Sequence, residues 1–367
     1  MAYHQGIYLF CFLPFVVLVY ALTPRKIRRA VLILAGYVFF WSFSRWLVVY
    51  LIGVTTLIYG IGRHMDHLKA EGKKKAKEQG AREPRTFIKK QYKSREKRTL
   101  IAGILLLLGI LGYLKYCNFF VTNINHILEM SGRSVFLQPQ TLLVPIGISF
   151  YTLSAISYVT DVARGVCKVE RNYLRLLLFL IFFPVITEGP ISRYGQLGEE
   201  LKAEHRFDYK QFCFGAQLIT WGLFQKVLLS DRVNMYVRAI FANHERYSGF
   251  PVIMAILLYT FQLYMDFAGC INIARGSAQL FGITLEENFK RPFFATSVND
   301  FWRRWHITLG AWFKDYIFYP ISLGTHFQKF SQKCRAHMNR YYAATIPGIF
   351  ALFAVWFGNG IWHGAEW

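Results

Sequence analysis

Charged side chains are scarce in this chain, 17% of 367 residues, whereas hydrophobic residues reach 54% and aromatics 18%. A soluble globular chain carries about 25% charged and roughly 45–50% apolar residues, so the composition departs from that class only modestly. The arrangement decides the matter, because the apolar residues come in blocks close to bilayer-spanning length. Cysteine is scarce too. The six (Cys11, Cys117, Cys167, Cys213, Cys270 and Cys334) are scattered, with no CxxC pair. That spacing excludes a disulfide framework and a zinc site, and most of these thiols sit in apolar runs as small hydrophobes. No Walker motif, GxSxG or strand-borne GxGxxG is present. The opening "MAYHQGIYLFCFLPFVVLVYALTPRKIRR" lacks the order of a signal peptide, since its positive cluster follows the apolar run. The pattern is that of a multi-pass, all-α membrane protein, read as a single transmembrane domain over residues 1–367.

The net charge of +22 raises nucleic acid as a partner, but its placement argues against one. Residues 63–98, "RHMDHLKAEGKKKAKEQGAREPRTFIKKQYKSREKR", hold about a third of all Lys and Arg. A second cluster, "HFQKFSQKCRAHMNR", covers residues 326–340. Both lie between apolar blocks, as cytoplasmic loops do under the positive-inside rule. His64 and His67 flank Asp66 in "HMDH", but a basic segment repels a cation, so no metal site is expected there.

Gly6 to Leu22 reads as a first span with its N-terminus outside. Between Ala30 and Gly62 only Arg45 is charged. Those ~33 residues make about 50 Å of helix, too long for one crossing of a ~30 Å core. Two short crossings with a tip near Ser42 to Arg45 are expected. Further spans are Thr99 to Phe120, Tyr173 to Ile186, Phe212 to Leu229, Pro251 to Tyr264 and Ala343 to Trp362. Thr141 to Val162 carries Pro145, Gly147 and many hydroxyls, so it should face protein and not lipid. Glu188, Arg193, Asp266 and Arg275 read as structural charges, with Asp266 and Arg275 a candidate pair. Matching breaks between the two halves are not visible, which counts against a transporter of inverted repeats.

The densest chemistry is "NDFWRRWHITLGAWFKDYIFYP", Asn299 to Pro320, within an amphipathic or re-entrant segment at 291–323. On one helix, Trp302, Trp305, Leu309 and Trp312 would share a face. An interfacial helix explains the Trp/Arg mix, but not His306. The last run, 343–367, ends "FGNGIWHGAEW". A straight helix from Arg340 would carry His363 about 34 Å away, near the opposite interface. Gly358 and Gly360 weaken a helix by roughly 1 kcal/mol each, so a break is expected there, with His363 either snorkelling at a helix end or held beside a polar cavity as a general base.

The segments "FFPVITEGPISRYGQL", "YMDFAGCINIARGSAQLFGI", "NFKRPFFATSVNDFWRRWHITLGAWFKDYIFYPI" and "NGIWHGAEW" follow one another in this order. With them the chain resembles the membrane-bound O-acyltransferase family. Within it, the likeness is to the bacterial branch of alginate and peptidoglycan O-acetyltransferases and the D-alanyl transfer protein of teichoic acid. The resemblance implies a helical fold around a central channel and a chain truncated at its C-terminus. It assigns His363 as the catalytic histidine and His306 as the second motif histidine. Asn299, Asp300, Trp302, Arg304, Trp305, Asn359 and Trp362 are the residues expected to line the substrate path. The implied reaction moves an acyl group, acetyl in preference to D-alanyl, from a cytoplasmic thioester to an envelope polysaccharide. No cofactor is bound; acetyl-CoA or an acylated carrier protein is a substrate. Expected partners are membrane lipids, the acyl carrier and an extracytoplasmic SGNH-type acceptor protein, in the plasma membrane. The tetrahedral oxyanion needs a donor, for which His306 and Asn299 are both candidates. A lipid or polysaccharide transporter is the reading from another class.

Overall fold

The computed structural model describes residues 1–78, 82–132, 137–140 and 143–364. Every regular element among them is helical. A π turn at Ile7–Phe12 leads into α1 (Leu13–Leu22), followed by α2 (Arg28–Ser44), α3 (Val48–Glu78) and α4 (Arg82–Met130). Next come α5 (Ile148–Arg164), α6 (Tyr173–Ile181), α7 (Glu199–Lys202), α8 (Tyr209–Leu223), α9 (Asp231–Ala242) and α10 (Phe250–Gln279). The remainder holds α11 (Val298–Arg304), α12 (Ile307–Phe313), α13 (Tyr319–Ser322), α14 (Thr325–His337) and α15 (Arg340–His363). Among the described residues, five segments are long and apolar enough to cross a membrane: Arg25–Glu78, Pro84–Met130, Tyr209–Ala242, Phe250–Gln279 and Arg340–His363. The chain is therefore an all-α polytopic membrane protein.

The expected break at Arg45 is present, with this residue in the left-handed region at φ 43° between α2 and α3. Three other expectations are corrected. Tyr173 to Ile186 is not a span: α6 has nine residues, too few for a ~30 Å core. Leu176 through Ile181 are all buried, so its apolarity on every face reflects protein on every side. The two basic stretches are not loops. Residues 63–98 continue α3 and α4 on either side of 79–81, which lie outside the described residues, and α14 covers most of 326–340. Lys, Arg, Glu and Ala are strong helix formers, and Lys75 adds an i,i+4 pair with Glu71 at 2.8 Å.

Contacts divide the chain into two interleaved units. The first comprises Met1–Ile52, Pro145–Phe150 and Asn172–Trp305; the second comprises Gly53–Val144, Tyr151–Arg171 and His306–Trp367. The first unit is built around aromatic rings. Tyr3, Tyr8, Phe12, Phe39 and Phe183 pack with centroids 5.3–6.4 Å apart. Their polar tips are satisfied: Tyr3 donates to the Phe183 carbonyl at 2.6 Å and Tyr8 to Ser277 Oγ at 2.9 Å. Asp266 pairs with Lys226 at 2.6 Å and Arg275 with Glu287 at 3.4 Å. The anticipated Asp266–Arg275 pair is therefore replaced by partners from other elements, which sequence distance concealed.

Also in the first unit, α8 and α10 cross through glycines seven residues apart on each helix. A Cβ at Gly222 would lie 2.5 Å from the Gly269 carbonyl oxygen, and one at Gly276 would lie 2.5 Å from that of Gly215. Small residues let backbones approach where lipid supplies no hydrophobic drive. Gly222→Ala is therefore expected to lower stability by about 1–3 kcal/mol, although alanine is the better helix former. Gly109→Ala, with open space around it, should not. Thermal unfolding in detergent checks both.

In the second unit, Tyr151, Thr152, Leu153 and Ala155 through Val162 of α5 are buried, as anticipated for that part of Thr141 to Val162. The helix begins only at Ile148, however, and Leu143 and Val144 ahead of it are exposed. Residues 141 and 142 of that expectation lie outside the described residues. Lys69 Nζ donates to the Val162 carbonyl at 2.6 Å near the C-terminal end of α5, where a cation complements the helix dipole. The expected break at Gly358–Gly360 is absent, for α15 runs unbroken to His363. Gly358 instead leaves room for a neighbour: a Cβ there would lie 3.2 Å from Phe313 Cε1.

Candidate functional site

The WRRWH segment does not form the single helix expected over Asn299 to Pro320. Ser297 caps α11, its hydroxyl accepting from Asp300 N at 3.1 Å, and α11 stops at Arg304. Trp305 is extended, and His306 is left-handed at φ 44°, ψ 53° before α12 begins. The tryptophan face is thereby broken: Trp302 is 42% exposed while Trp312 is 5% exposed. A left-handed non-glycine residue costs on the order of 1–3 kcal/mol and persists where its surroundings hold it.

Those surroundings can be traced along the chain in both directions. Before the turn, in the first unit, Lys290 N donates to the Arg304 carbonyl at 2.9 Å. Trp305 stacks on Phe301 with centroids 5.5 Å apart and meets Phe289 edge-on at 5.2 Å. Asp300 accepts from Arg304 Nε at 3.0 Å and from Thr296 N at 3.2 Å, bracing α11 from within. After the turn, in the second unit, Trp312 Nε1 donates to the Leu153 carbonyl at 3.0 Å. Tyr316 donates to the Asp161 carboxylate, 2.9 Å from either oxygen.

The second unit brings three candidate residues together. The His306 ring is buried, 6% exposed, and meets the Trp362 ring edge-on at 6.2 Å between centroids. The Trp362 ring lies 4.7 Å from that of His363, again edge-on. One indole thus contacts both histidines. His363 is the exposed last residue of α15, and Asn359 is half-buried one turn earlier. The first-unit candidates are placed differently. Asp300 and Arg304 engage each other, Trp305 sits among aromatic rings, and Asn299 and Trp302 are exposed.

Two further residues set the histidine's position. The last carbonyls of a helix lack ladder partners. Here Tyr116 donates to the Ile361 carbonyl and Lys115 to that of Trp362, each at 2.5 Å. Lys115 Nζ also lies 5.9 Å from the Trp362 ring centroid. Lys115 is the lone charge in the apolar run from Thr99 to Phe120, as Asp161 is in Thr141 to Val162. An ionisable residue in such a run is a functional signal by default, and both escaped the sequence reading. Because Lys115 is only half-buried, Lys115→Met should cost about 1 kcal/mol. Unfolding followed by tryptophan fluorescence reads that loss.

Comparison with known proteins yields one family model, that of the membrane-bound O-acyltransferase family, matching residues 5–367. A probable alginate O-acetylase of Pseudomonas syringae pv. tomato is 33% identical over 372 residues, covering 99% of this chain and 65% of that protein. A peptidoglycan O-acetyltransferase of Helicobacter pylori is 30% identical over 294 residues, 73% of this chain and 52% of that protein. A teichoic acid D-alanyltransferase of Bacillus subtilis is 32% identical over 230 residues, 62% of this chain and 55% of that protein. The chain spans a little under two thirds of the length of the alginate O-acetylase.

Proposed function

This chain belongs to the membrane-bound O-acyltransferase family, and from that premise we propose that it moves an acyl group, acetyl in preference, from a thioester to a hydroxyl for modification of a cell-envelope polysaccharide. The observation that carries the reading is the Trp362 indole, against which both motif histidines lie. Attack on a thioester requires the acceptor hydroxyl to lose its proton as its oxygen bonds the carbonyl carbon, and a neutral imidazole is a suitable base. His363, the exposed ring of the pair, takes that proton. The C–S bond then breaks, and the departing thiolate takes that proton from the His363 imidazolium, which returns the base to its neutral form. His306, on the same indole, is the candidate donor to the oxyanion; Lys115 and Tyr116 hold the end of the helix that presents His363.

The donor is a substrate and not a resident cofactor: acetyl-CoA or an acylated carrier protein, both anionic. Lys73, Lys74, Lys77, Arg85 and Lys89 line one groove of the second unit, and such a surface raises the encounter rate of an anion. The same cations suit anionic lipid. We place the protein in the plasma membrane with its N-terminus outside and residues 63–98 and 326–340 in the cytoplasm. A cysteine introduced at Lys74 should stay unlabelled by an impermeant reagent in intact cells and react after lysis. Labelling in intact cells contradicts that orientation.

An extracytoplasmic acceptor protein of SGNH type completes the proposed route. The teichoic acid relative favours a second reading, D-alanyl transfer by the same residues. Mild alkaline release from the envelope of cells with and without the gene separates the two. Gene-dependent acetate is the expected product, and gene-dependent D-alanine assigns the second. Neither product appearing removes acyl transfer altogether.

A further inference from the structure

The first unit contains a cavity of about 630 Å³, of the size that takes a small ligand. Its cationic lining is Arg275, Lys290, Arg291 and Arg304, facing a single carboxylate, Glu287. The aromatic residues Tyr264 and Phe289 supply an apolar wall. Three features distinguish this cluster from an ordinary solvated surface.

Arg275 is the most buried of the four, its side chain 15% exposed, yet its contacts are long. Its guanidinium reaches Glu287 at 3.4 Å, with the Leu285 carbonyl and Asn272 each at 3.5 Å. Arg291 is held left-handed at φ 48°, and no ion pair to a carboxylate is formed by it among the described residues. Backbone strain of this kind, of order 1–3 kcal/mol, clusters at binding sites. Arg304 enters from the segment two residues ahead of His306, and the Lys290 N to Arg304 carbonyl bond ties the two edges of the cavity together. Asp300 pairs with Arg304 outside the lining, and Glu287 offsets one of the other three cations. That leaves a surplus of two positive charges in a partly desolvated hollow, where attraction to an anion exceeds that in open water.

We infer that this cavity binds the phosphate of an amphiphilic ligand, the arginine forks engaging its oxygens while Tyr264 and Phe289 contact its apolar part. Guanidinium forks match phosphate bidentately, and a lysine ammonium adds a point charge. Inorganic phosphate alone would leave most of the volume unfilled. Two sources offer this chemistry: a soluble thioester carrying phosphopantetheine, and a phospholipid headgroup. The inference is read by binding and not by turnover, so it stands or fails separately from acyl transfer.

The test is a titration of the purified protein in a zwitterionic detergent with coenzyme A, with short-chain phosphatidylglycerol and with an uncharged-headgroup control. Saturable binding of either phosphate compound is expected, weakened at least tenfold in the Lys290→Gln/Arg291→Gln double variant. Both side chains are exposed, so the fold should survive their loss. Glu287→Gln removes the opposing carboxylate and should tighten binding severalfold, a change that misfolding does not produce. Coenzyme A binding assigns the site to a soluble donor; binding of phosphatidylglycerol alone assigns it to lipid. Binding of neither, an unchanged affinity in the double variant, or equal binding of the uncharged-headgroup control overturns the inference.

Discussion

Alanine at His363 is expected to lower acyl transfer by 10²-fold or more, within the 10²–10⁴ that a positioned general base contributes, while leaving the amount of folded protein unchanged. The two halves of that expectation have separate physical grounds. The imidazole is the exposed terminal ring of α15 and meets the Trp362 indole. Truncating an exposed side chain opens no core cavity, so the stability change should stay within about 0.5 kcal/mol. The chemical loss is large because without a base the hydroxyl must attack before its proton has an acceptor. Initial rates with an isotopically labelled acetyl donor in membranes, normalised to protein content, make the comparison. Full activity in His363→Ala would remove this residue from the reaction.

His306 should show a different pattern, because it carries two roles. Its backbone is left-handed, and its ring fills a buried position against Trp362. His306→Ala loses the ring and keeps a side chain that disfavours positive φ, so stability should fall by about 2–4 kcal/mol. His306→Gly relieves the backbone and should recover part of that stability. Activity should nonetheless remain at least tenfold down, since the ring is still missing. A glycine variant with near wild-type turnover would mean that the residue serves only the turn between α11 and α12. Measuring melting temperature and initial rate on the same preparations separates the roles.

The membrane class, the break at Arg45 and the protein-facing helix α5 were legible because each rests on short-range pattern: block length, a lone charge, hydroxyls beside proline and glycine. The partners of Asp266 and Arg275 were not, since they come from Lys226 and Glu287 on other segments. His306 was legible as an anomaly on a tryptophan stripe, but the helix break at that residue was hidden. Periodicity assumes continuous helical backbone, and non-glycine residues at positive φ are uncommon, although histidine is among those that tolerate it best. The opposite error arose at Gly358–Gly360, where low intrinsic propensity suggested a break. Helical backbone persists there, and Gly358 leaves space for Phe313. The basic stretches carried a helix signal in their Lys, Glu and Ala content, which charge density obscured. Lys115 and Asp161 were visible as lone charges, but their work depends on which carbonyl or hydroxyl the fold brings to them.

Acyl transfer itself is tested most directly with purified protein reconstituted in sealed vesicles, given a labelled acetyl thioester and an acceptor bearing free hydroxyls. The account predicts ester-linked label on the acceptor, dependent on His363, with one thiol released for each acyl group transferred. Movement of lipid or saccharide across the vesicle with no ester formed would contradict it and identify a transporter instead.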